Sequence, residues 1–205
     1  MFSMLFYQCE WNKNNKIIDL SSSNLEISIN RFEKKFESLD TNNLISSLNT
    51  LRNEDSLFFD TYTIQMMRFG RVADTMSPVI SSIKEFLTNV NVQELHDTVE
   101  VTFENEEALK AELTEAFKHF NYYFPNKQLP KVMTVVSEFG YNAVTFDSTS
   151  LVFGLDMYLG KDFKYYGSFD FPNYIIRRFE KEYMVPNAME VIYLEYFGRD
   201  ELEET

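Results

Sequence analysis

The chain is poor in the residues that most chemistry needs. Its 205 positions hold two histidines, one cysteine, one tryptophan, five prolines and six glycines. A lone cysteine, Cys9, cannot close an internal disulfide, so no disulfide framework braces the fold. The glycines form neither Gly-x-Gly-x-x-Gly nor Gly-x-x-x-x-Gly-Lys, the loops whose bare backbone cradles phosphate, and there is no Gly-x-Ser-x-Gly elbow to present a nucleophilic serine. Basic side chains are scarce as well: 19 Lys and Arg against 32 Asp and Glu leave a net charge of −13. Such a field repels phosphate backbones and anionic lipid headgroups, which argues against a nucleic-acid function. No stretch approaches the ~20 consecutive apolar residues of a membrane-spanning helix.

Rings are abundant instead. Twenty Phe and twelve Tyr lie within a chain that is 44% hydrophobic, enough for one substantial, ring-rich core and a single domain. Acidic runs at Glu104, Glu106, Glu107, Glu112 and Glu115, and at Asp200, Glu201, Glu203 and Glu204, read as a solvated helix face and an acidic terminus.

The first residues carry their own signal. Before Cys9 stands the uncharged "MFSMLFYQ", and after it the polar "EWNKNNKIIDLSSSN". An apolar stretch, a cysteine and a loose tether is the pattern of a bacterial lipoprotein signal that lacks its charged front, with Cys9 as the lipidation site and residues 1–22 as truncated signal and tether. Gln8 departs from the small residue usual before such a cysteine, and an ordinary N-terminal strand with a buried cysteine is the other reading. Any membrane attachment would then be only through lipid at Cys9.

Residues 23–205 read as one α+β domain, helix-rich with a small three- to four-stranded sheet. "LEISINRFEKKFESLD" passes from period two to helical spacing, a short strand running into a helix. Leu44, Leu48 and Leu51 share a helical face. Asp55 is placed to cap a helix that Gly70 ends, and Ser77 with Pro78 opens the next. "NVQELHDTVEV" and "NEEALKAELTEAFKHF" continue as helices, after which Pro125 and Pro130 close that half. "KVMTVVSEF" and "NAVTFDS", separated by a Gly-Tyr turn, suggest a hairpin, with "SLVFGLDMYLG" a third, buried strand. Pro172 starts a helix through Tyr174, Ile175, Ile176 and Phe179, and "VPNAMEVIYLEYFGRDELEE" supplies the last.

Strand, strand, strand, helix is the order that leads into the catalytic helix of zinc peptidases, which need His-Glu-x-x-His. Here that helix reads "NYIIRRFEKEY", and Arg177 and Arg178 cannot bind a cation. His119, four residues after Glu115, suits a surface contact better than a metal, and two ligands fall short of a zinc site. The expectation is no metal, no cofactor and no nominated catalytic residue. What remains is a cluster around "GLDMYLG": Asp156 at the end of an apolar strand, Tyr158, Tyr165, Tyr166 and Tyr174 nearby in sequence, and Arg177 and Arg178 behind. Asp156 must be hydrogen-bonded or paired. The cluster is either a capped turn with amphipathic core tyrosines or an aromatic-lined groove for a protein partner.

"YYFP", "LPKV", "GLDMYLGKDFKYY" and "FPNYIIRRFEKEYMVPNAMEV", in that order, resemble the gliding-motility lipoprotein GldB family of the Bacteroidetes over roughly residues 28–196. The resemblance implies a periplasm-facing cell-envelope lipoprotein required for gliding, in the context of type IX secretion, with an envelope protein of that apparatus as partner and Cys9 as anchor. The family brings no settled enzymatic activity, so no catalytic residue is carried over. Its C-terminal elements are similar in order to predicted zinc proteases, which makes a degenerate zincin-like scaffold without metal ligands one expectation; accidental likeness of three strands and a helix is the other. Two functions follow as expectations: a non-enzymatic interaction or assembly component, or an envelope hydrolase, peptidase or glycan-acting, with a carboxylate-based site in a deep cleft.

Overall fold

The computed structural model describes residues 18–198 apart from 22, 73–77 and 147. Cys9, the cap at Ser77 and the terminal acids Asp200, Glu201, Glu203 and Glu204 therefore lie outside the described residues. The first strand, β1 (Ile29–Arg31), runs directly into α1 (Phe32–Glu37), followed by α2 (Leu44–Glu54) and α3 (Ser56–Asp60). Asp55 caps α3 by accepting the Phe58 amide hydrogen at 3.1 Å. The helix expected to run on to Gly70 instead widens into a π-helical turn, Thr61–Met66. Within it the Thr63 hydroxyl donates back to the Phe59 carbonyl, and the Gly70 amide, at φ +111°, bonds the Thr63 carbonyl.

Three further helices follow, α4 (Pro78–Thr88), α5 (Val90–Thr102) and α6 (Glu107–Tyr123). Then come β2 (Lys131–Val135), β3 (Ala143–Phe146) and β4 (Ser150–Gly154), which runs directly into a 3-10 turn at Leu155–Met157, and after it the short α7 (Asn173–Ile176) and α8 (Met184–Phe197). The sheet order is β1-β2-β4-β3, with β1, β2 and β4 parallel and β3 antiparallel to β4.

Strand periodicity divides the core in two. Val132, Leu151 and Phe153 point to one face, where they meet Leu113, Phe117, Ala188 and Ile192 of α6 and α8. Met133, Val135 and Val152 point to the other, against Phe32, Phe36, Leu48, Phe59, Tyr62 and Ile83. The sheet is thus a middle layer between helices, and its central strands are apolar on both sides, as buried parallel strands must be. Edge-to-face rings such as Phe32 against Phe58 and Tyr62, with centroids 4.9 and 5.0 Å apart, fill the second face.

Two expectations are corrected. β2 and β3 do not form a hairpin: β4 inserts between them, pairing Met133 with Val152 in parallel and Val144 with Val152 in antiparallel. Leu151, Val152 and Phe153 are fully buried and need a neighbour on each side, whereas the half-exposed β3 suits an edge. The segment 173–183 is not one helix. It stops after Ile176, because the Phe179 carbonyl accepts from the Gly160 amide at 2.9 Å and the Phe179 ring turns into the core. No continuous helix stands where a peptidase would carry its metal ligands, and the zincin-like expectation finds no support in the fold.

Candidate functional site

β4 ends at Gly154 because nothing larger fits. A Cβ there would stand 2.0 Å from the Tyr141 carbonyl oxygen and 2.8 Å from the Ser137 hydroxyl. This close approach brings the turn after β4 against the loop after β2, and Asp156 fills the junction. Its side chain is wholly buried. One carboxylate oxygen accepts from the Ser137 amide at 2.9 Å, the other from the Phe139 amide, and the Ser137 hydroxyl lies 3.2 and 3.3 Å from the two. Burial pushes the Asp156 carboxyl up to about 6, against the lowering effect of these donors. The loop it holds has left-handed backbone at two consecutive side-chain-bearing residues, Glu138 at φ +51° and Phe139 at φ +65°. Such strain persists only where surrounding bonds over-determine it.

Tyrosines tie the rest of the junction together. The Tyr166 hydroxyl donates to the Asp156 carbonyl at 2.7 Å and accepts from the Leu159 amide at 3.1 Å. The Tyr158 hydroxyl accepts from Asn187 Nδ2 at 2.9 Å, and Asn187 Oδ1 accepts from Arg178 at 2.9 Å. Burial raises Tyr158 to about 12, offset in part by the Asn187 bond and the Arg178 charge. Tyr62 donates to the Val136 carbonyl at 2.9 Å from the opposite face of the sheet, so both core halves brace the same loop. Burial, then the Asp156, Glu138 and Glu33 carboxylates, push the Tyr62 hydroxyl well up.

The cluster expected from sequence therefore divides. Asp156, Tyr158 and Tyr166 are interior. Tyr174, 69% exposed, and Arg177, whose guanidinium has no hydrogen-bond or ion-pair partner among the described residues, face outward. Tyr165 donates to Glu94 at 2.7 Å on the surface, beside the Lys164 to Glu94 pair, and Arg178 reaches outward to Glu190 at 3.7 Å. Ser137, Glu138, Phe139 and Asn187 were not legible in the sequence, since nothing local marks Ser137 and Phe139 as partners of an acid nineteen and seventeen positions on, or the α8 residue Asn187 as the partner of Tyr158. Gly154 alone carried a legible signal, a glycine inside an apolar strand.

Asp156 is thus saturated by the protein's own donors and is not placed to take a substrate proton. A cavity of about 490 Å³ contains Glu26, Glu54 and Asp55, but Lys35 pairs Glu54 at 2.7 Å, while Asp55 caps α3 and faces Lys131 at 3.7 Å. Glu54 and Asp55 are thus both engaged, and Glu26 by itself is not the pair of free carboxylates that the hydrolase alternative needs. His119 meets Glu115 at 3.5 Å on the surface, the ordinary i,i+4 contact expected. His96 is buried, with Nδ1 3.3 Å from Glu37. Among the described residues no three His, Cys, Asp or Glu side chains gather in a metal-holding arrangement, and no helix is long and apolar enough to cross a membrane.

Compared with known proteins, residues 13–205 match the family model described as gliding motility protein GldB. No curated protein and no solved structure matches the chain.

Proposed function

The chain belongs to the gliding motility protein GldB family, a family of lipoproteins, and from that premise we propose that it is a non-enzymatic assembly or interaction component of the gliding apparatus in the type IX secretion context. In this reading residues 1–22 are signal and tether, Cys9 carries the lipid, and 23–205 form one domain facing the periplasm. The observation that carries it is the division of the Asp156 cluster. Its polar interior is satisfied by internal bonds, while Tyr174 and Arg177 stand outside three residues apart, an exposed ring and a guanidinium without a partner among the described residues. Tyrosine and arginine are the residue types that most often anchor protein interfaces. A rigid backing lowers the ordering entropy that such an interface must overcome.

The test is the double variant Tyr174→Ala with Arg177→Ala, expressed in gliding cells from which the wild-type chain has been deleted. Colony spreading should be lost while protein level and melting temperature stay at wild-type values, and release of type IX cargo into the medium should fall with it. Normal spreading by the double variant would remove this face from the function.

A further inference from the structure

Beside the Asp156 junction lies a second, separate feature. A groove of about 470 Å³ runs between the start of α5 and the loops at 138–139 and 165–169, lined mainly by Val92, Leu95, Phe139, Tyr165 and Phe169 with Glu138 at its margin. Phe169 is 41% exposed and packs against Phe139 with ring centroids 4.8 Å apart and planes tilted by 53°, so a large ring is held at the groove rather than folded away. Glu138 is exposed at the surface, yet its carboxyl rests close enough to the protein that burial holds it above the usual carboxylate value. No hydrogen bond or ion pair to Glu138 is present among the described residues, and no cation lies near enough to offset that burial. Glu94, the other acid in the neighbourhood, is by contrast taken up by Lys164 and Tyr165.

We propose that this groove binds a segment of a partner protein in which a lysine or arginine stands close to a bulky apolar side chain, the cation pairing with Glu138 and the apolar group entering against Phe139 and Phe169. Charge complementarity selects the occupant. A carboxylate that lines an apolar groove and has no cationic neighbour among the described residues is complemented by a cation carried on an apolar chain. The net charge of −13 steers basic segments toward the surface and disfavours an anionic bilayer. The left-handed backbone at Glu138 and Phe139, fixed from below by Asp156, sets both groups before binding and reduces the ordering that binding requires. The inference rests on the docking function proposed above only in taking the occupant to be a protein.

A phage-displayed library of random dodecapeptides, selected on the intact chain, tests it. Enriched peptides should carry Lys or Arg within a few positions of Leu, Ile, Phe or Trp. Glu138→Gln and Phe169→Ala, each folded by circular dichroism, should each weaken a synthetic enriched peptide by roughly tenfold or more. Glu138→Lys should prefer the same peptide with its basic residue replaced by Glu. The proposal is overturned by an absence of enrichment, by enriched peptides without a basic residue, by affinities that ignore Glu138→Gln and Phe169→Ala, by flotation of the chain with anionic vesicles that Phe169→Ala abolishes, or by self-association that the same variant abolishes. Loss of spreading in the Tyr174 and Arg177 double variant, together with any of these outcomes, would leave the docking function standing and remove only the groove.

Discussion

Asp156, in the turn after β4, and His96, in α5, are buried ionisable side chains, and their effects on stability oppose each other. Asp156 has a folded value near 6 against an ordinary 3.8, so the native state holds the proton more tightly than the unfolded chain. Its contribution is present in full below about pH 4 and is lost as pH rises through about 6. His96 is pushed by burial down to about 4 from 6.5, so its contribution is present above pH 6.5 and is lost as pH falls toward 4. Each amounts to an effect on the order of 3 kcal/mol, and the two largely cancel between pH 4 and 6. Thermal melts across pH 4 to 7 should therefore show a shallow profile from this pair in the wild type, a steeper loss on acidification in Asp156→Asn, and a relative gain on acidification in His96→Gln. Superimposable profiles for all three proteins would refute the assignment. Asp156→Asn should also be less stable throughout, by about 1–3 kcal/mol, because an amide nitrogen would face amide donors. Gly154→Ala is more severe: the methyl would overlap the Tyr141 carbonyl, and the urea midpoint should fall by the equivalent of roughly 3 kcal/mol or more.

Among elements, those with a local cause were the legible ones. Asp55 before an apolar run marked the start of α3, the spacing of Leu44, Leu48 and Leu51 marked the inner face of α2, and Glu107 to Tyr123 formed the expected long helix. Strand pairing was not local. The Gly-Tyr dipeptide after β2 does mark a change of direction, but the chain turns there to meet Asp156, and β2 finds its partner in β4. The segment after β4 has little regular structure to hold it, and Tyr166 does so with one hydroxyl bonded to both Asp156 and Leu159. Tyr166→Phe should cost about 1–3 kcal/mol, since a buried carbonyl and a part-buried amide lose their partner. Hydrogen exchange should then quicken selectively at the Leu159 amide, and unchanged protection there would show that the hydroxyl is not what fixes the segment.

At the scale of the whole molecule, charge acts through its excess. Most ion pairs are on the surface, such as Lys34 with Glu100 and Lys35 with Glu54, and each contributes about 0.2–1 kcal/mol at most. The −13 net charge repels itself over the entire fold. Raising NaCl from low to moderate concentration should screen that repulsion within a Debye length of ~10 Å or less, and increase the melting temperature by a few degrees. A falling melting temperature would mean that specific pairs outweigh the general repulsion. The same acidity bears on docking, since association with a basic partner should slow steeply as salt rises.

Composition and pattern alone determined that the chain builds an aromatic, helix-rich α+β domain, that it has no phosphate loop and no zinc-binding helix at 173–183, and that its motif blocks are those of the GldB family. The fold class and the missing loops follow from side-chain type and from periods of two and 3.6, which act over a few residues, whereas the family rests on the match over residues 13–205. Tertiary structure decided the order of the strands, the break after Ile176, and which members of the Asp156 cluster face solvent. Each of these depends on contacts between residues distant along the chain. A carboxylate ending an apolar strand must find donors, but only the folded chain shows that Ser137 and Phe139 supply them and leave Tyr174 and Arg177 outside.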